Sequence, residues 1–121
     1  MNDKPGYTVY GIKNCETVKK ALRWLDEHDV DYTFHDFKSK GITTAKLKNW
    51  MEQKGWETVV NRKGMTWRQL PDDVKQTVKS NSGAVKLLQE KTSAIKRPVI
   101  EKGDKIAFLG FDEDQYAEIF G

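Results

Sequence analysis

Cys15 is the single cysteine of a 121-residue chain. It follows Tyr7-Thr8-Val9-Tyr10-Gly11, which reads as a strand, and precedes a helical pattern. In α/β sheets, ligands gather at the carboxyl ends of strands. The first turn of a helix has unpaired backbone N–H groups and the positive end of the helix dipole. It therefore favours an anion, and a thiolate is an anion. Lys13, Lys19 and Lys20 add positive charge nearby, and Glu16 opposes it. An ordinary thiol is only about 3% thiolate at pH 7, so local stabilisation of this kind decides whether a cysteine is a nucleophile. The alternative is a structural cysteine, because Cys is among the most buried residue types.

Several one-cysteine chemistries fail on spacing. Position 18, the partner position of a C-x-x-C pair, is Val18, so the chain has no resolving thiol of its own. A C-x5-R phosphate loop needs Arg where Ala21 stands. What remains is a single thiolate with the second thiol supplied by another molecule. Arg62, in Asn61-Arg62-Lys63-Gly64, and Arg97, before Pro98, could each grip a carboxylate or oxyanion through paired N–H donors. Read alone, each is equally a solvated surface arginine. His28 at a helix end and His35 in an alternating strand read as structural.

The elements that must position these residues follow from periodicity. Val18, Ala21, Leu22 and Leu25 fall at i, i+3, i+4 and i+7, with Asn14 or Thr17 as the cap of this first helix. Residues 30–37 alternate, with Val30, Tyr32 and Phe34 on one face. Strand, helix and strand make a βαβ unit. Residues 38–92 then read as helical, with Ser39-Lys40-Gly41 as a loop. Within them Leu47, Trp50, Met51, Val74, Val78, Val85, Leu87 and Leu88 face inward, Asn81 or Ser82 caps the last helix, and Trp67 sits in a loop. Val99 to Leu109 reads as a hairpin turning at Lys102-Gly103-Asp104. Asp112 with Gln115 opens a final helix whose Tyr116, Ile119 and Phe120 face inward. The order predicts an α/β, thioredoxin-like, four-stranded mixed sheet with an inserted helical subdomain. One domain of residues 1–121 is expected, with thioredoxin-like parts at about 5–37 and 93–121 and the insert at about 38–92.

Composition removes other classes. With one Cys no intrachain disulfide is possible, and two His and one Cys cannot complete a four-ligand zinc site, so no metal is expected. The net charge of +3 is far from the basic stripe of a dedicated nucleic-acid binder. Four Trp, four Tyr and five Phe supply a core despite 32% charged residues. Met1 to Gly6 is polar and turn-like, and no run suits a signal peptide or membrane span. A cytoplasmic monomer with no nucleic-acid or membrane partner is the expectation.

The residues also resemble a known family. Tyr10-Gly11-Ile12-Lys13-Asn14-Cys15, Val18-Lys19-Lys20-Ala21, Trp24-Leu25, Asp31-Tyr32 and Phe34-His35-Asp36 are similar to the ArsC/Spx arsenate-reductase-like family. Asn61-Arg62, Thr66-Trp67-Arg68, Ile95-Lys96-Arg97-Pro98 and Gly110-Phe111 resemble its YffB-type branch. The resemblance implies a Cys15 nucleophile and anion- or thiol-ligand-binding Arg62 and Arg97 near the thiolate. It also implies a site shaped by Asn14 and by Pro98 behind a cis bond. The chain departs from the family's glutathione- and glutaredoxin-coupled arsenate reductases in two places. Gly11 stands where they carry His, and residues 106–111 lack their third Arg. Val18 removes the C-x-x-C switch typical of Spx regulators, which bind RNA polymerase.

The expected function is thus a thiol-dependent, glutathione-linked reductase. It would have no tightly bound cofactor, and glutathione or another low-molecular-weight thiol would be its cosubstrate, with glutaredoxin a further candidate partner. Arsenate reduction proper and an Spx-like RNA-polymerase-binding regulator are the alternatives.

A 55-residue insert (38–92) is marginal as an independent folding unit. Unfolding is therefore expected to be one transition, coincident by tryptophan fluorescence and circular dichroism. Two separated transitions would show an autonomous insert.

Overall fold

β-Branched and aromatic residues in Tyr7–Gly11 form strand β1, the second strand of a four-stranded sheet. The computed structural model describes residues 6–121; the turn-like opening expected at Met1 to Pro5 lies outside them. Helix α1, Glu16–Glu27, buries Val18, Ala21 and Leu25 of the expected stripe, and Trp24 rather than Leu22 is its fourth buried residue, Leu22 being half-buried. Strand β2, Tyr32–Asp36, is shorter than the expected 30–37. Strands β3, Val99–Lys102, and β4, Lys105–Leu109, form the hairpin, turning at Gly103 with a φ of 63°. The sheet order is β2-β1-β3-β4, with β1 parallel to β2 and antiparallel to β3, and β3 antiparallel to β4. With the final helix α8, Glu113–Phe120, this is a thioredoxin-like α/β fold.

The described residues up to Phe37 and Arg97–Gly121 make one compact unit, and Lys38–Lys96 a second. In the first, Val9 and Ile100 from the sheet meet Ala21, Trp24 and Leu25 from α1 and Tyr116 from α8. Tyr116 is the hub. Its ring meets Trp24, Phe108, Phe111 and Phe120 edge-on at centroid separations of 5.4, 5.4, 5.0 and 5.1 Å. Its hydroxyl donates to the Gly110 carbonyl at 2.5 Å. Ile119, expected inside, is 38% exposed; α8 turns its Tyr116 stripe to the core instead. Tyr32 donates to Asp26 Oδ1 at 2.9 Å. Burial, then the Asp26 hydrogen bond and charge, push the Tyr32 phenol up to about 12.

The second unit is helical. Helix α2, Phe37–Lys40, starts on a fully buried Phe37 at its border and replaces the loop expected at Ser39 to Gly41. Helix α3, Thr44–Lys54, is capped by Thr43, whose hydroxyl accepts from Lys46 N–H at 3.1 Å. Gly55, at a φ of 82°, ends it and leads into α4, Trp56–Val59. A short helix α5, Met65–Arg68, stands where a loop around Trp67 was expected. Helix α6, Asp72–Gln76, follows Pro71, and α7, Asn81–Glu90, buries Ala84, Val85, Leu87 and Leu88. Ser80 caps α7 rather than Asn81 or Ser82; the Asn81 side chain instead accepts from Trp56 N–H at 3.2 Å. Asn61 N–H to Ala94 O and Lys96 N–H to Val59 O, both 2.8 Å, tie residues 92–96 to this unit.

Tyr116→Phe keeps the ring contacts but removes the donor from a buried carbonyl. It is expected to cost about 1–3 kcal/mol at neutral pH. Burial also raises the Tyr116 phenol above its ordinary 10.0. The folded state therefore keeps a proton that the unfolded chain releases, so stability is full below pH 10.0 and falls as pH rises beyond it. Urea unfolding across that range is expected to show a shallower alkaline loss in Tyr116→Phe, with the Tyr32 share remaining.

Candidate active site

Strand β1 ends at Gly11, and the chain turns at once. The Cys15 N–H donates to Ile12 O at 3.1 Å, which closes a turn with Lys13 and Asn14 at its tip. The Cys15 carbonyl then accepts from Lys19 N–H at 2.9 Å, the first bond of α1. Cys15 is thus itself the N-cap, with extended backbone (φ −91°, ψ 127°). This corrects the expected Asn14 or Thr17 cap, since Asn14 lies in the turn and Thr17 is already helical. The thiol makes no hydrogen bond to the α1 backbone, and Cys15 is only half-buried. A sulfur at this position lies at the positive end of a 12-residue helix. Lys19 is not a free counter-charge: its Nζ lies 3.5 Å from Glu16 Oε2 across one exposed turn.

Pairing of β1 with β3 puts Val99 opposite Tyr10. Arg97 and Pro98, just before Val99, therefore stand at the end of the sheet from which the Cys15 turn departs. The Arg97–Pro98 peptide bond is cis, as the resemblance implies. The Pro98 carbonyl accepts from Gly110 N–H at 2.8 Å, and the Gly110 carbonyl takes the Tyr116 hydroxyl. The Pro98 segment is thus fixed to the end of β4 and through it to α8. Arg97 is half-buried. Arg62 belongs to the helical unit, on the Asn61–Gly64 turn, with its guanidinium 5.5 Å from the Trp56 ring centroid. Of the expected site residues, Cys15, Asn14, Arg97 and Pro98 share one unit and one end of its sheet.

The two histidines are accounted for by packing. The His28 ring stacks on Trp24 at 3.7 Å, and its Nδ1 lies 2.8 Å from the Trp24 carbonyl oxygen, to which it donates. His35 packs against the Tyr10 ring at 4.9 Å.

The structure adds a constraint that no motif announced. A Cβ on Gly11 would lie 2.8 Å from Val18 Cγ2 and 3.2 Å from Cγ1. Val18 is 0% exposed and cannot swing away into solvent. Gly11 and Val18 therefore form a matched pair: the valine occupies the space that any side chain at position 11 would need. The Gly11 departure noted above thus has a packing counterpart in Val18. A second feature, the buried carboxylate of Glu101 in β3 (2% exposed), also carried no signal in the sequence. Among the described residues no buried side-chain nitrogen or oxygen lacks a hydrogen-bond partner. None of their helices is long and apolar enough to cross a membrane.

Residues 10–119 match the model of the ArsC family. The solved structure of the YFFB (PA3664) protein is similar at 44% identity and a TM-score of 0.88, covering 95% of this chain and 99% of that one. An arsenate reductase (ArsC) related protein from Brucella melitensis is 43% identical, with a TM-score of 0.76 over 95% of this chain and 94% of its own. The global transcriptional regulator Spx of Staphylococcus epidermidis is 26% identical over 110 residues, 89% of this chain and 82% of the regulator.

Gly11→Ala is expected to destabilise by about 1–3 kcal/mol, the usual cost of forcing a methyl into a packed site. Adding Val18→Ala should return part of that loss, with a coupling of about 0.5–3 kcal/mol in a double-mutant cycle. Strict additivity of the two losses in urea unfolding would break the pairing of Gly11 with Val18.

Proposed function

The chain belongs to the ArsC family, and from that premise we propose that it is a thiol-dependent reductase whose nucleophile is the Cys15 thiolate. The observation that carries this reading is Cys15 as the N-cap of α1, half-buried and with no hydrogen bond to the helix backbone. A thiolate there faces unpaired N–H groups and needs no second cysteine.

The reaction fits a mixed disulfide between glutathione and a second thiol. The Cys15 sulfur attacks the glutathione sulfur, the S–S bond breaks, and the released thiolate takes up a proton. Cys15 is left joined to glutathione. A second glutathione thiolate attacks that sulfur, Cys15 leaves as thiolate, and glutathione disulfide is released. The two electrons come from external thiol, which is what a chain with Val18 in place of a second Cys requires. Arg97 serves as the fork for an anionic group of the ligand, beside Pro98 and at the same sheet end as Cys15. Arsenate would be an oxyanion substrate for the same sulfur, a reading supported by the Brucella melitensis relative.

A second reading, a transcriptional regulator, is favoured by the 26% identity with Spx. Against it stands Val18, which leaves no two-cysteine switch.

Turnover of a glutathione mixed disulfide, and separately of arsenate, with excess glutathione tests the proposal. Activity is expected to vanish in Cys15→Ser. Arg97→Lys keeps the charge and loses the fork, so KM should rise roughly tenfold, the scale of one charge-assisted hydrogen bond, with kcat changed less. Thiol-dependent turnover that survives Cys15→Ser would refute the nucleophile. A protein with no turnover on any disulfide or oxyanion would leave the regulator reading standing.

A further inference from the structure

Charge is divided between the two units. Lys38–Lys96 holds 13 of the 21 Lys+Arg but only 5 of the 18 Asp+Glu, a formal balance of +8. The other unit holds the remaining 8 cations and 13 acids, a balance of −5. The mild total of +3 conceals this asymmetry, which segment-wise addition of charge along the sequence would have exposed. Eleven of the 13 cations in the helical unit are exposed.

Three of these cations converge. Arg62, Lys63 and Lys96 line one depression of about 330 Å³, where Glu57 is the opposing acid. The Arg62 guanidinium is braced over the Trp56 ring, so part of its ordering cost is met before any partner arrives. Close by in sequence, Met65 is 67% exposed, the most exposed large apolar side chain among those described. Arg68 follows one turn later. An exposed methionine within a run of cations is a surface suited to protein: Met and Arg are enriched at interfaces, and a thioether adapts to varied partners. The aromatic residues of the unit argue against nucleic acid. Single strands are held by exposed rings on which bases stack. Here Trp50 is fully buried, Trp56 is half-buried under Arg62, and Trp67 is half-buried.

We propose that the Arg62–Lys63–Lys96 depression and Met65 form a docking surface for an acidic protein segment, one whose carboxylates enter the depression while an apolar side chain covers Met65. The charge of the whole unit steers the encounter, and the depression and methionine give it a register. The surface lies within the helical unit, and the inference does not depend on the reaction at Cys15.

The test uses the full chain and two labelled probes of equal charge, a peptide of Glu and Leu residues and a single-stranded oligonucleotide, followed by fluorescence anisotropy. Lys63→Glu with Lys96→Glu is expected to weaken the peptide about tenfold or more. The control, Lys79→Glu with Lys86→Glu, makes the same change in net charge on exposed residues outside the depression and should cost no more than about twofold. Met65→Ser, which leaves charge unaltered, should weaken the peptide several-fold, and that loss should persist at about 0.15 M salt, where surface charge is screened beyond about 8 Å. Equal weakening by the control pair would reduce the surface to diffuse charge and overturn the proposal. So would tighter binding of the oligonucleotide than of the peptide. A mass that grows with protein concentration at low salt, unaffected by the peptide, would mean that the basic unit binds another copy's acidic unit, and would also overturn it.

Discussion

The turn from Ile12 to Cys15 is the constraint on which the site depends. One backbone hydrogen bond, Cys15 N–H to Ile12 O, stops β1 and lets the next carbonyl group open α1. It puts a sulfur at the N-cap, a position that usually holds an oxygen. An anion held at this position would meet the positive end of α1 and its unpaired N–H groups. The turn holds its place because both of its flanks are anchored. Val9 lies in the core before it, and Val18, Ala21, Trp24 and Leu25 lock α1 after it. Gly11 and Val18 meet across it with no room for a further atom.

The opposite side of this end of the sheet is held by different means. Pro98 is bonded to Gly110, and Gly110 to Tyr116, whose ring is gripped by four aromatic neighbours. An aromatic cluster around the buried Tyr116 thus holds the backbone beside Arg97. The Arg97 side chain is half-exposed, while the main chain beside it is tied through Pro98 to the end of β4.

Much of this could be read in advance, for identifiable reasons. The α1 stripe, the β2 alternation and the hairpin at Gly103 are local patterns with a fixed period, and βαβ followed by a hairpin admits few sheet orders. The Asp112 cap was legible because a carboxylate there has one helix to serve. At Ser80, Asn81 and Ser82 three adjacent residues can all cap, and the choice was made by Trp56, whose N–H takes the Asn81 side chain from another helix. Helices α2 and α5 have four residues each, too few to show a period. The fit of Gly11 to Val18 and the burial of Glu101 depend on neighbours distant in the chain. The division of charge was present in the sequence but invisible in its total.

The central claim is that Cys15 is a nucleophile by virtue of its place at the head of α1. The most direct measurement is the intact mass of the folded protein after exposure to glutathione disulfide near neutral pH, followed by peptide mapping and then by excess reduced glutathione. The account predicts that the folded chain gains one glutathionyl group on Cys15, faster than the urea-unfolded chain does, and loses it again to the added thiol. A folded chain that stays unmodified while the unfolded chain reacts would mean that Cys15 is a packed structural thiol, and would contradict the account.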